Sequence, residues 1–228
     1  MESKIPRVDF RSWYDHFDSP VVPFDCGDKC LIHNPDGKPF CCDICQAVPS
    51  VFHQEWDYLE AHTNLWHIWQ GDECKDNPED PAKLMQETPG TMVLVACLGP
   101  SLCQRTYRSL SCRQFPFFPY LDADYGFIGL TYNWEFEQTC WIISNLDQVT
   151  SNYRSEFIHF YDEFFSTWPH EFNFYAARSE EMRQIFITQN RSIPILHRDG
   201  GYFLLRPLTE RLRPVEPERL QKFGPYER

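Results

Sequence analysis

The apolar positions of this chain change their spacing several times, and each change marks an expected element. Between Pro49 and Trp69, the residues Phe52, Trp56, Leu59 and Trp66 recur at roughly helical spacing behind Ser50, a residue type that caps helix N-termini. The spacing therefore predicts a helix there. The run TMVLVAC, ending at Cys97, is short and β-prone, and predicts a buried strand. In QFPFFPYLDADYGFIGLTYNWEFEQ, from Gln114 to Gln138, two apolar runs flank a turn. Its prolines lack the N–H that a central strand donates, which confines the first strand to a sheet edge. Two further stretches, Ser155–Trp168 and Ser179–Gln189, carry helical patterns. The segment IPILHRDGGYFLLRP reads as a hairpin, because two apolar runs flank Asp199-Gly200-Gly201.

The polar stretches complete this outline. Residues 1–24, with Pro6, Pro20 and Pro23, form an irregular N-terminal arm, and the proline-bearing run from Gln70 to Gly90 reads as a loop. Near the C-terminus, Arg206, Arg211, Arg213 and Arg219 alternate with prolines and glutamates, as in a solvated tail. The expected fold class is α+β: a small mixed domain with helices and a short antiparallel sheet. A cysteine-rich region, 25–145, forms its centre, with a helical and hairpin part, 146–228, packed on it. The aromatic run FIHFYDEFFSTWPHEFNFY, from Phe157 to Tyr175, fits core packing or a surface for a protein partner.

Charge narrows the partners. The chain has 228 residues, 33 acidic and 21 basic, for a net charge of -12. Such a chain gains nothing from counterion release at a phosphate backbone, so nucleic acid and anionic membrane surfaces are not expected partners. No apolar run approaches membrane-spanning length, and the first residues lack the apolar core of a signal peptide. The expectation is a cytoplasmic protein, in a compartment where thiols stay reduced.

Against that background the ten cysteines stand out. Cys26, Cys30, Cys41, Cys42 and Cys45 fall on turn-forming sequence, and Cys97, Cys103 and Cys112 form a second group. Thiols this dense can be metal ligands, disulfide partners or small buried apolar residues. In a reduced compartment, metal binding or catalysis comes before disulfides. Cys26-x3-Cys30 and Cys42-x2-Cys45 have the spacing that lets two sulfurs turn onto one metal, and thiolate suits zinc and iron–sulfur clusters. Cys41 and Cys42, being adjacent, cannot easily serve a single metal. Cys97, at the end of an apolar run, reads equally as a buried small side chain. His33 is an alternative ligand. His62 and His67, five apart, read as ordinary helix histidines, and Cys74 as a free thiol. No phosphate-binding loop, nucleophile elbow or H-E-x-x-H motif is present.

The second group carries a resemblance. Cys97-Leu98, then Cys103 with Tyr107, then Cys112-Arg113-x-Phe115-Pro116 resemble the steps of the CxxCxxCC-type zinc- or iron-chelating family, the YkgJ-like cysteine cluster proteins. The stretch GLTYNWEFEQTC resembles that family's closing strand, ending here at Cys140. The resemblance spans roughly residues 25–141. The first group is more widely spaced than the family pattern, and Trp141-Ile142 follow Cys140 where the family has Pro-Gly. The resemblance implies a metal site drawn from Cys26, Cys30, Cys41, Cys42, Cys45, Cys97, Cys103, Cys112 and Cys140. An iron–sulfur cluster of the four-iron type is favoured over zinc, because more than four cysteines are available. Arg113 would donate to cluster sulfurs or to backbone carbonyls, and Phe115–Pro119 would shield the site. The related flagellin lysine-N-methylases imply a metal-assisted methyl transferase as an alternative, and a zinc-stabilised interaction module is a third reading.

Overall fold

A computed structural model describes residues 6–74 and 80–227. The chain divides into two compact units. One consists of Arg7–Asp18 and Asp25–Phe115; the other takes Pro6, Ser19–Phe24 and residues 116–227. The boundary expected after residue 145 thus lies between Phe115 and Pro116, and the expected N-terminal arm is shared between the units.

The first unit is built from short elements. Helix α1 is Phe10–His16, opened by Asp9, whose side chain accepts from the backbone N–H groups of Arg11 and Ser12. A single turn, α2, is Gly27–Cys30. Strand β1, Ser50–Phe52, leads into α3, His53–His62, and on to β2, Trp66–Ile68. Helix α4 is Pro81–Glu87, strand β3 is Met92–Cys97, and α5 is Leu110–Gln114. The sheet order is β1-β3-β2, with both pairs antiparallel.

Three expectations change here. The single helix over Pro49–Trp69 is a ten-residue helix between two three-residue strands, and Ser50 lies in β1. Its flanks extend because β3 offers a partner on each side, which outweighs the local helical pattern. His62 ends α3, while His67 lies on β2. The polar run expected as a loop carries α4, capped by Asp80 and opened by Pro81. Residues 75–79 of that run lie outside the described residues.

The second unit follows its pattern more closely. Strands β4, Phe117–Leu121, and β5, Phe127–Tyr132, pair antiparallel, with proline-bearing β4 at the sheet edge as its missing N–H requires. Helices α6, Ser151–Thr167, and α7, Pro169–Thr188, follow, then β6, Ile193–His197, and β7, Tyr202–Arg206, as the expected hairpin. Both glycines of its turn have positive φ, +97° at Gly200 and +77° at Gly201, where side chains are strained. The expected solvated tail instead supplies β8, Arg211–Pro214, which completes an antiparallel sheet in the order β4-β5-β6-β7-β8. Gly129 allows β5 to approach β6, since a Cβ there would lie 2.3 Å from the Leu196 carbonyl oxygen.

The aromatic run is mostly core. Tyr153, Phe157, Phe160, Tyr161 and Phe164 are buried along one side of α6, and α6 and α7 pack on β5 and β4. Phe174 is 48% exposed, so only a small part of this run is offered to a partner. Phe117 and Phe118 are buried in β4 of this same unit. They belong to its sheet, where the sequence suggested a shield over the cysteines. No helix among the described residues is long and apolar enough to cross a membrane.

Candidate thiol cluster

The cysteines of the first unit sit on short pieces of chain, several of them fixed by side-chain bonds to backbone. Cys26 caps α2, Cys30 ends it, and Cys41 and Cys42 lie on a single turn, Phe40–Cys42. Gly27 lets these pieces meet, because a Cβ there would stand 2.7 Å from the Pro39 ring. Asp25 accepts from the Gly27 N–H at 2.8 Å. Asp43, fully buried, accepts from the Asn34 amide at 3.0 Å and from the Cys45 N–H at 3.1 Å. Those bonds join both ends of the loop between the two halves of the first cysteine group.

The second group is fixed from α1 and α3. Cys97 ends β3, Cys103 follows a turn at Pro100–Leu102, and Cys112 lies in α5. The Ser109 hydroxyl caps α5 by accepting from the Cys112 N–H at 3.3 Å. Buried Glu55 of α3 accepts from the Leu110 N–H and from the Tyr14 hydroxyl, each at 2.6 Å. Burial pushes the Glu55 carboxyl up to about 7, against those hydrogen bonds and the nearby Arg113 charge.

Arg113 serves the backbone. Its guanidinium donates to the carbonyls of Tyr14, Phe17, Arg105, Thr106 and Arg108, and pairs with Asp18 at 2.8 Å. It also lies 4.3 Å from the centre of the Tyr14 ring. Of the two roles expected for it, this geometry is that of the carbonyl donor. The arginine at the sulfurs is Arg108, whose Nε donates to Cys103 Sγ at 3.2 Å. A single arginine in a turn gives no signal in sequence that distinguishes it from a surface cation.

Six thiols from the two groups are close enough to act on one another electrically. Cys42 is the common member: it acts on Cys26, Cys30, Cys97 and Cys112. Cys97 also feels Cys103, and Arg108 interacts with Cys103, Cys112 and Cys42. Burial raises Cys26 to about 11 and Cys112 to about 12, and also raises Cys30 and Cys97; neighbouring thiols add to each rise. Cys42 is shifted down, first by a hydrogen bond with Cys41 and then, against its burial, by Arg108. The sulfurs of Cys41 and Cys42 are 3.9 Å apart.

The remaining expected ligands are placed differently. Cys45 forms a disulfide with Cys74, so Cys74 is not the free thiol that its acidic surroundings suggested, and Cys45 has no thiolate to offer while the bond stands. Cys140 belongs to the other unit. The strand expected to end there stops at Tyr132, and Cys140 precedes a turn at Trp141–Ser144. His33 is on an exposed turn, His62 Nδ1 bonds the Tyr58 carbonyl, and His67 pairs with Glu73. Among the described residues, no group of three or more His, Cys, Asp or Glu closes into a shell that could hold a metal ion.

Comparison with protein-family models, curated proteins and solved structures finds no match. What the arrangement can do chemically therefore follows from its residues. Soft donors lie together, mostly protonated by burial, with one guanidinium among them. A thiophilic cation would stabilise the thiolate form that burial disfavours.

Proposed function

We propose that this chain is a metal-binding cysteine-cluster protein that holds an iron–sulfur cluster in a redox or structural role, with zinc as the alternative metal. The observation that carries this reading is that one unit holds seven free cysteines from two distant stretches of sequence, Cys26, Cys30, Cys41 and Cys42 with Cys97, Cys103 and Cys112. The resemblance of Cys97–Pro116 to cysteine-cluster proteins supports it as well.

The donor type suits the group, since thiolate is the ligand that zinc and iron–sulfur clusters take, but three or more of the described side chains would have to move together to form a shell. Cys26, Cys30, Cys42, Cys97, Cys103 and Cys112 would supply the ligands, with Cys41 beside Cys42 as a spare. When bound, an iron–sulfur cluster supplies one-electron chemistry, whereas zinc supplies a cross-link. The chain's own part is to gather the sulfurs. Asp43 and Asn34 hold the first group in place, and Ser109, Glu55 and Arg113 hold the second. Because burial keeps several of these thiols protonated, loading a metal releases protons, and affinity rises with pH.

Anaerobic purification, followed by analysis for iron, zinc and acid-labile sulfide with an absorption spectrum, tests the reading. Iron with sulfide and broad visible absorption is the expected result. Zinc without colour makes the cluster a structural staple. Neither metal, in protein also challenged with both, removes the metal reading. A second reading would then stand, favoured by the Cys45–Cys74 bond: the unit is a thiol–disulfide region, and its free thiols pair on oxidation.

A further inference from the structure

Three arginines that the sequence placed in a solvated tail share one face of the second unit's sheet. Arg211 and Arg213 are alternate residues of β8, and Arg206 of β7 lies directly opposite Arg211. Alternate residues of a strand, and residues directly opposite across a ladder, point the same way, so all three side chains leave the sheet on one side. All three are exposed. The pair between them, Leu205 and Leu212, faces the other side, where Leu205 is fully buried. Tyr202 belongs to the arginine side, and Arg154 of α6 lies 5.1 Å from the centre of its ring, adding a further guanidinium.

Elsewhere in the chain arginines find acids. Arg105, Arg113, Arg178, Arg183, Arg191 and Arg198 each pair with a carboxylate. Among the described residues no such pair forms at Arg206, Arg211 or Arg213, although acidic residues outnumber basic ones by 33 to 21. Like charges directly opposite also weaken a ladder, so Arg206 and Arg211 cost the sheet stability. Protection of an exposed edge accounts for charge on β8, but Arg206 is on β7, an inner strand. A face that repels itself and meets no counter-charge within the chain is matched by an anion from outside.

The rest of the chain selects that anion. A net charge of -12 repels a long polyanion such as nucleic acid or an anionic bilayer, whereas a short acidic segment meets the local face alone. Pro214 has no N–H to offer an added strand at β8, so contact runs through side chains. We propose that this face docks an extended acidic segment of a protein partner, with carboxylates at alternate positions. That repeat is the one that separates Arg211 from Arg213, and each guanidinium fork suits a carboxylate. A carboxylate over Arg211 is also within reach of Arg206 across the ladder.

The test uses the full chain as wild type, R206Q, R211Q/R213Q and R219E. The last removes as much positive charge as the double variant, from the turn Pro217–Arg219. Fluorescence anisotropy reads binding of a short labelled peptide with glutamates at alternate positions, of the same composition with its glutamates in one block, and of a single-stranded oligonucleotide. Wild type should bind the alternating peptide best, and more weakly as salt is raised. R211Q/R213Q should bind it roughly 10-fold more weakly, the usual worth of two exposed ion pairs, while R219E stays within about twofold of wild type. R206Q should also bind more weakly, yet melt at a higher temperature, because the opposed charges are gone. Where melting shows that R211Q/R213Q does not fold, R206Q decides alone. Wild type that binds no peptide, or equal losses in R219E and R211Q/R213Q, overturns the proposal. Equal binding of the two peptides overturns the alternating repeat, and tighter binding of the oligonucleotide overturns the choice of partner. A lower melting temperature for R206Q would make these arginines structural and overturn it as well.

Discussion

The two units solve the same problem with different materials. In the unit of residues 116–227, helices of 17 and 20 residues and a five-stranded sheet bury large rings, with Phe157, Tyr161, Phe164 and Phe186 almost fully enclosed. Two of its buried hydroxyls meet among the aromatics, Tyr161 and Tyr175, at 3.0 Å. Among the described residues of the other unit, the longest helix has ten residues and two of the three strands have three. Here buried polar side chains bind backbone groups: Arg113 gathers carbonyls from α1 and from the 105–108 turn, and Asp43, Asn34 and Glu55 tie loops. Where elements are too short to define one another by packing, hydrogen bonds and sulfur take over that task. The sulfurs are thereby placed on short elements and the turns between them.

The sharpest way to break this contrast is to remove a ring from the aromatic unit. Phe157→Ala should destabilise the protein by about 3–5 kcal/mol in denaturant unfolding, because the cavity it leaves is lined by rings. A loss under 1 kcal/mol would mean that this core is plastic, and that the distinction from the polar unit is overstated. Next in size is the covalent tie of the cysteine unit. Cys45 and Cys74 are 29 residues apart, and a loop of that length is worth roughly 3–4 kcal/mol by the chain-entropy estimate. Cys74→Ser should lower the unfolding midpoint accordingly, and adding reductant to wild type should reproduce that shift. If reductant leaves wild type unchanged, the bond contributes nothing in solution.

Glu55 gives a smaller effect but a signed one. Its carboxyl lies at about 7 when folded, above its ordinary 4.5, so the folded chain keeps this proton where the unfolded chain releases it. The associated stability is present in full below the unfolded value and is lost as pH rises through the folded one. That amounts to an order of 3 kcal/mol. Wild type should therefore lose more stability than Glu55→Gln between about pH 5 and about pH 8, by unfolding at both values. Equal losses would show that the Glu55 environment takes up its charge at no cost.

The same contrast explains what sequence alone could convey. The hairpin at Ile193–Arg206 was legible because positive φ at Gly200 and Gly201 is a local demand, and α6 was legible because its ring spacing is local. Strands β1 and β2 were not, since three residues carry no period and only β3 makes them strands. β8 was hidden behind its arginines, which are what an exposed edge strand uses to discourage further pairing. In the cluster, the grouping of thiols was visible, but their partners were not. The Cys45–Cys74 bond and the contact of Arg108 with Cys103 depend on how loops close, which leaves no periodic trace. Cys140 entered by resemblance alone, and lies in the unit without the cluster.

The short segment Ser19–Phe24 has a consequence for how this chain is made. It belongs with residues synthesised much later: the Pro20 carbonyl accepts from the Thr150 hydroxyl, 130 positions on, and the Ser19 N–H donates to Glu156, 137 positions on. At 5–20 residues per second, a ribosome needs roughly 10 s to deliver those partners. Until then, Ser19 and Pro20 wait for these two partners, which only the last third of translation supplies.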